Sequence, residues 1–308
     1  MSNVLCTGSA GFIGSHIVDK LINNGHIVIG VDNFTTGKLE NVNKKCTTVN
    51  CDIRDGLTID NLFDQYKFDY VFHLAAQIDL RRSIKEPAFD AFNNIVGSLN
   101  VLENAVKHKA KVIFSSTGGA LYSEEAFLPF AEDSLIKPAS PYGIAKRTVE
   151  TYLEFFKNQY GLDYTVLRYS NVYGPRQAGA ECGVIAIFMN KLIKGEPITV
   201  FGDGNSTRDY VFVQDVVSAN MLAMNISGIY NVSTGVGTSV NQIVDILKPY
   251  YKDCQVTHSD PVAGEMRHSV LCADRLKAKG WSSKYSLDEG VDEIMLNRLG
   301  VSLNNYMK

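Results

Sequence analysis

This chain of 308 residues predicts an α/β fold: a doubly wound parallel sheet followed by a smaller C-terminal domain. Three observations point there. Short β-rich runs alternate with amphipathic stretches through the first half, as parallel strands joined by helices do. The first run leads directly into a glycine-rich turn and then a helix-forming stretch. Hydrophobic residues make up 45% of the chain and charged residues 20%, enough apolar material for a sizeable core.

The elements follow in order. Val4-Leu5-Cys6 reads as a buried strand, Phe12 to Asn24 as a helix, Ile27 to Val31 as a second strand and Cys46 to Cys51 as a third. Residues 58–66 read as a helix, Tyr70 to Leu74 as a strand, and residues 88–108 as one long helix. Lys111 to Ser115 is the next strand, Pro141 to Tyr160 a helix, and Tyr164 to Arg168 a strand again. Such a series makes a Rossmann-type sheet. The second half is punctuated at Gly174-Pro175, Gly202-Asp203-Gly204 and Asp260-Pro261, and reads as a loop-rich domain closing over the first. We place the boundary between residues 175 and 176, with segments near 209–225 allowed to return to the first domain. The tail, Asn304 to Lys308, is expected to fray.

Composition narrows the function. A net charge of -3 without a polybasic run argues against nucleic acid as the main partner. The six cysteines (Cys6, Cys46, Cys51, Cys182, Cys254, Cys272) are irregularly spaced with no C-x-x-C pair. They are expected to be reduced thiols, with neither a disulfide framework nor a metal site. No apolar run is long enough to span a membrane. Met1 to Thr7 has no basic stretch ahead of an apolar one. The expectation is a cytoplasmic protein without a signal peptide.

Gly8-Ser9-Ala10-Gly11-Phe12-Ile13-Gly14 stands between the first strand and the first helix. Glycines in that turn let backbone approach a pyrophosphate, and the helix N-terminus presents free N–H groups and a positive dipole end. Asp32 closes the second strand 18 residues after Gly14, with Asn33 beside it. A carboxylate there can accept from both ribose hydroxyls and would repel a 2′-phosphate, which favours NAD over NADP.

Tyr142 and Lys146 lie four apart and so share one face of a helix. A free tyrosine, with a pKa of about 10, is a poor base at neutral pH. A neighbouring ammonium and a positive nicotinamide ring both favour phenolate. Lowering the pKa by roughly three units would stabilise phenolate by about 4 kcal/mol. Tyr142 could then accept a hydroxyl proton as hydride leaves the same carbon. A tyrosine and lysine at this spacing also occur on ordinary amphipathic helices. Here the pair follows Ser115-Ser116-Thr117 at the carboxyl edge of a strand, where such sheets bind ligands.

The G-x-x-G-x-x-G spacing, together with Tyr142-Gly143-Ile144-Ala145-Lys146, makes the chain resemble the extended short-chain dehydrogenase/reductase superfamily. That resemblance implies that Asp52-Ile53 flank the adenine, and that Leu74-Ala75-Ala76 and Ser115 line the dinucleotide. It implies that Asn93 supports the central strands and that Thr117, with Ser116 as the alternative, is the reacting hydroxyl. Within the superfamily the chain is most similar to the UDP-glucose 4-epimerase family of the NAD-dependent epimerases and dehydratases. The similarity runs through Ser115 to Tyr122, Arg168 to Gln177, Phe201 to Gly204, Arg208 to Val211 and Gly264 to Ser269. It implies a UDP-sugar substrate, with Arg208 and Arg267 clamping the diphosphate and Asn171 donating nearby. The stretch Val184 to Met189 would wall the uracil. A homodimer paired through the helices near 88–108 and 142–160 is expected on the same ground.

The implied activity is 4-epimerisation through a transient 4-keto sugar. Gly118-Gly119 after Thr117 lacks the acid pair that a 4,6-dehydratase needs. A UDP-GlcNAc or UDP-uronic acid 4-epimerase, and a non-catalytic NAD-binding sensor or scaffold, stay open as alternatives. Three positions depart from the family pattern: Ser9 for a glycine, Ser123 where glycine would permit positive φ, and Gln214 for an acid.

Overall fold

The computed structural model describes residues 1–178, 183–250, 255–260 and 266–299. Cys182, Cys254, Pro261, Gly264-Glu265 and the tail Asn304 to Lys308, all singled out above, lie outside them.

In chain order the first half comprises β1 (Asn3–Thr7), α1 (Phe12–Asn23), β2 (Ile27–Asp32), β3 (Thr47–Asn50), α2 (Gly56–Tyr66), β4 (Tyr70–His73) and the short helices α3 (Leu80–Lys85) and α4 (Pro87–Ala91). It continues with α5 (Gly97–His108), β5 (Lys111–Thr117), α6 (Pro141–Tyr160) and β6 (Tyr164–Tyr169). The second half comprises β7 (Asn171–Tyr173), α7 (Val184–Ile193), β8 (Ile198–Phe201), β9 (Thr207–Phe212), α8 (Val213–Ala223), β10 (Gly228–Val232), β11 (Gly237–Ser239) and α9 (Val240–Leu247). The last elements are β12 (Val256–Ser259), β13 (His268–Ser269), α10 (Asp274–Lys277) and α11 (Leu287–Leu299).

Seven strands form one parallel sheet in the order β10-β6-β5-β4-β1-β2-β3. Every residue of β6 is buried, so both faces of the sheet must be covered. On one face Ile29, Val112 and Phe114 pack with Leu102 and Leu153 from α5 and α6. On the other, Val4 and Ile113 pack with Ile17 and Leu21 of α1, Val216 and Ala219 of α8, and Trp281. Each Val, Leu, Ile or Phe among them contributes about 1.5–3 kcal/mol on leaving water. The winding reverses between β1 and β4, which opens a crevice at the carboxyl edge of the sheet.

Helix signals act as the sequence predicts at α6. Ser140 caps it by accepting from the Gly143 N–H, Pro141 occupies its first turn, and Gly161 ends it at φ +73°. The single helix expected over 88–108 is different. Asp79 accepts from the N–H groups of Arg81 and Arg82 and starts a helix earlier, at Leu80. Pro87, which has no N–H, breaks it at Glu86, whose ψ is 62°. The chain then passes through one π-helical stretch, Phe92–Val96, before α5.

In the second half β9 gathers β7, β11 and β13 into a small sheet, and β8 pairs with β12. Its core holds Phe188, Met189, Phe212, Ile243, Leu247 and Val291. Residues from Val213 to Val232 rejoin the large sheet: α8 packs on α1, and β10 pairs with β6. Ser123 does not take positive φ; its Oγ accepts from the Glu125 N–H, so the serine fits without strain. Among the described residues no helix is long and apolar enough to cross a membrane.

Candidate active site

A cleft of about 470 Å³ runs along the carboxyl edge of the large sheet. It is lined at one end by the loop after β1 and at the other by residues of β5 and α6.

Gly8 stands at φ +69°, and a side chain there would approach the Ala75 nitrogen to 2.9 Å. Two loops therefore meet across it at backbone distance. A side chain at Gly14 would collide with the Gly8 carbonyl, so that glycine lets α1 seat against the turn. Gly11 caps α1 without a side-chain bond, which leaves the helix N-terminus open to a ligand. Asp32, at the end of β2, accepts from the N–H groups of Ala10 at 2.9 Å and Phe34 at 2.8 Å. Its carboxylate is thus fixed at the cleft wall beside Asn33. Phe12, Ile13, Asp52, Ile53, Leu74, Ala75 and Ala76 line the same wall.

Asp52 is held by its neighbours. Arg54 donates to both of its oxygens at 2.8 Å and Asn33 donates at 2.8 Å, and these bonds keep the carboxyl well below the usual carboxylate range. Asn93 lines the cleft and donates to the Phe89 carbonyl of α4, with no side-chain hydrogen bond to the strands among the described residues. The bracing asparagine is Asn94, which accepts from the Gln77 N–H at 2.7 Å and donates to the Gln77 carbonyl at 2.9 Å. The adjacent pair of asparagines gave the sequence no means of telling them apart. Gln77, Asp79, Arg82 and Phe89 also line the cleft and were not foreseen. Their signal was the Asp79 cap, which starts a helix at the cleft edge.

Tyr142, Lys146, Ser115, Ser116 and Thr117 come together on the opposite wall. Lys146 donates from Nζ to the Ser115 carbonyl at 2.8 Å, and its ammonium lies 5.9 Å from the centre of the Tyr142 ring. Burial pushes the ammonium down to about 8 and pushes the Tyr142 phenol well up, with Asp90 adding to the latter. In the protein alone, burial and Asp90 thus both oppose the phenolate. The two candidate hydroxyls differ. Ser116 is buried and donates to Glu150 Oε1 at 2.7 Å, whereas Thr117 is only partly buried and has no side-chain hydrogen-bond partner among the described residues.

A smaller cavity of about 220 Å³ shares Ser170, Val172 and Gln177 with the cleft and is lined by Asn171, Ile185 and Tyr210. Arg208 and Arg267 come together through their backbones, since β13 pairs with β9 beside Arg208. Their guanidinium groups do not line either cavity. Arg208 donates to the carbonyls of Thr207 and Arg267, and Arg267 pairs with Asp203 at 2.8 Å on the surface. Among the described residues no cluster of three or more His, Cys, Asp or Glu side chains is placed to hold a metal ion.

The model of the NAD dependent epimerase/dehydratase family matches residues 4–233. The chain is similar to a UDP-glucose 4-epimerase of Thermotoga maritima solved with UDP-glucose, with 47% identity, a TM-score of 0.93, and coverage of 99% of this chain and 98% of that one. It is similar to a Thermus thermophilus UDP-glucose 4-epimerase solved with NAD, with 37% identity, a TM-score of 0.90 and 99% of both chains covered. A UDP-N-acetylglucosamine 4-epimerase of Methanobrevibacter ruminantium, in complex with UDP-N-acetylmuramic acid, gives 33% identity and a TM-score of 0.90 over 99% of this chain and 98% of that one.

Proposed function

The chain belongs to the NAD-dependent epimerase/dehydratase family, and on that premise we propose that it interconverts UDP-glucose and UDP-galactose, a step of galactose metabolism. It is an NAD-dependent epimerase acting on a UDP-sugar through a 4-keto intermediate. The epimerase reading is supported by one cleft that holds the glycine turn, Asp32, and the group Thr117, Tyr142 and Lys146, and the choice of sugar rests on the likeness to the Thermotoga maritima UDP-glucose 4-epimerase.

The cleft fits a dinucleotide. The open N-terminus of α1 and the backbone approach at Gly8 would take the pyrophosphate, and the Asp32 carboxylate would take the adenosine ribose. Asp52 and Ile53 would flank the adenine. NAD supplies a reversible hydride acceptor and a positive ring beside the sugar. The chain's own residues do the rest. Thr117 hydrogen-bonds the C4 oxygen, and Tyr142 accepts its proton as C4 becomes a ketone. Lys146, fixed by the Ser115 carbonyl, stabilises the phenolate. When the keto sugar has presented its other face, Tyr142 returns the proton and the epimer is complete. Asn171 in the adjoining cavity, Arg208 and Arg267 would hold the nucleotide, the two arginines after their guanidinium groups turn inward.

We also assign a cytoplasmic homodimer. Phe92, Ile144, Tyr152 and Phe155 expose apolar side chains on the helices proposed to pair. The test of the substrate is incubation of the purified protein with UDP-glucose and with UDP-GlcNAc separately, with products identified by proton NMR. UDP-galactose from the first is expected. Turnover of UDP-GlcNAc alone would move the assignment to the N-acetylated sugar, which the likeness to the Methanobrevibacter enzyme makes the alternative.

A further inference from the structure

Behind the Tyr142–Lys146 pair lies an acid that the mechanism has not used. Asp90 of α4 is 1% exposed. Its Oδ1 accepts from Gln77 Nε2 at 3.0 Å and from Asn94 Nδ2 at 3.0 Å. Its Oδ2 is equally buried and has no hydrogen-bond partner among the described residues. Burying a carboxylate with one oxygen unpartnered is costly, and persists where a nearby cation offsets it. The facing element is α6, which packs on α4 and on the π-helical stretch. Burial raises the Asp90 carboxyl above its ordinary range, and the Gln77 and Asn94 amides and the Lys146 ammonium pull it back toward the anion; Asp90 in turn opposes the Tyr142 anion. From the other side of Lys146, Glu150 of α6 also favours the ammonium, and His73 of β4 is kept neutral by burial. Gln77 and Asn94, the remaining contacts, are uncharged.

We propose that Asp90 is the buried counter-charge of Lys146, a positioning residue that acts through it. The carboxylate anchors the loop after β4 through Gln77 and favours the charged form of the ammonium that the Ser115 carbonyl holds. It also sets a negative potential that Tyr142 must overcome to release its proton. Phenolate then forms only when the cofactor's cation is in place beside the phenol. A base that exists only in the loaded site is protected from idle chemistry. The inference rests on the reading of Tyr142 and Lys146 given above.

Asp90→Asn keeps an acceptor for Gln77 and Asn94 and removes only the charge. Two readouts are made on the NAD-loaded protein, wild type and variant: phenolate absorbance near 295 nm referenced to Tyr142→Phe, and the pH profile of UDP-glucose epimerisation. Loss of a negative charge lowers both titrations. The Tyr142 signal and the acid limb of the profile are expected to move together to lower pH by roughly one unit. A variant that is slower or faster at every pH, with the Tyr142 titration unmoved, would overturn the proposal and leave Asp90 a structural residue. If wild type turns over no UDP-sugar, the functional reading fails, while the absorbance arm still decides on Asp90. Should the variant not fold, infrared difference spectra of wild type settle the matter. A carboxylate band for Asp90 at pH 7 supports the proposal, and a protonated carboxyl there refutes it.

Discussion

Ser116 donates its hydroxyl proton to Glu150 across a fully buried gap of 2.7 Å, while the next residue, Thr117, faces the cleft. Glu150 also receives both Nε and Nη2 of Arg168, so Ser116 belongs to a closed network between β5, β6 and α6. Adjacent hydroxyls on one strand point to opposite faces. One is therefore spent on the fold and the other is available to a ligand.

Exchanging each hydroxyl separates the two. Thr117→Val keeps shape and removes the hydrogen bond proposed to reach the sugar oxygen, so kcat should fall by about a hundredfold with little change in Tm. Ser116→Ala should keep kcat within a few-fold and lose about 1–3 kcal/mol of stability, because Glu150 loses a donor. Steady-state kinetics and thermal unfolding of the two variants check this, and the reverse pattern would make Ser116 the reacting group.

The sheet core carries its own pH signature. His73 is fully buried between Thr7 Oγ1 and Ser98 Oγ, each at 2.8 Å, and burial lowers its pKa from 6.5 to about 3. Between those values the unfolded chain binds a proton that the folded one refuses, so stability rises with pH across that window. The contribution is complete above pH 6.5 and is lost as pH falls toward 3. It amounts to about 3–5 kcal/mol for a group this deep. Denaturant unfolding from pH 3 to 7 should show this slope, and His73→Gln should flatten it.

The apolar strip on α6 and its neighbour predicts association. Ile144 is 52% exposed and Phe155 49%. If these faces pair two copies, Ile144→Glu combined with Phe155→Glu should halve the mass seen by light scattering. An unchanged mass would place the interface elsewhere.

Much of the fold was legible because its signals are local. The glycine turn, the strand runs and the Ser140-Pro141 start of α6 each depend on residues near one another in sequence. The break at Glu86-Pro87 was written in the proline, but the apolar periodicity beyond it hid the early start that Asp79 provides. The candidate site was legible where a motif brings its own spacing, as for Tyr142 and Lys146. It was not legible where partners come from distant segments. Asp52 meets Asn33, Ser116 meets Glu150, and Asp90 meets Gln77 through contacts that no spacing announces. The electrostatics of Tyr142 were the least accessible. Lys146 alone would favour phenolate, but burial and Asp90 both push the phenol up.

The most direct test of the chemistry follows one atom. UDP-glucose bearing deuterium at C4 is given to wild type and to Tyr142→Phe, and the product is examined by NMR. The account predicts UDP-galactose from wild type with deuterium still at C4, and turnover in the variant reduced by about a hundredfold or more. Loss of the label to solvent, or an undiminished rate without the tyrosine hydroxyl, would contradict it.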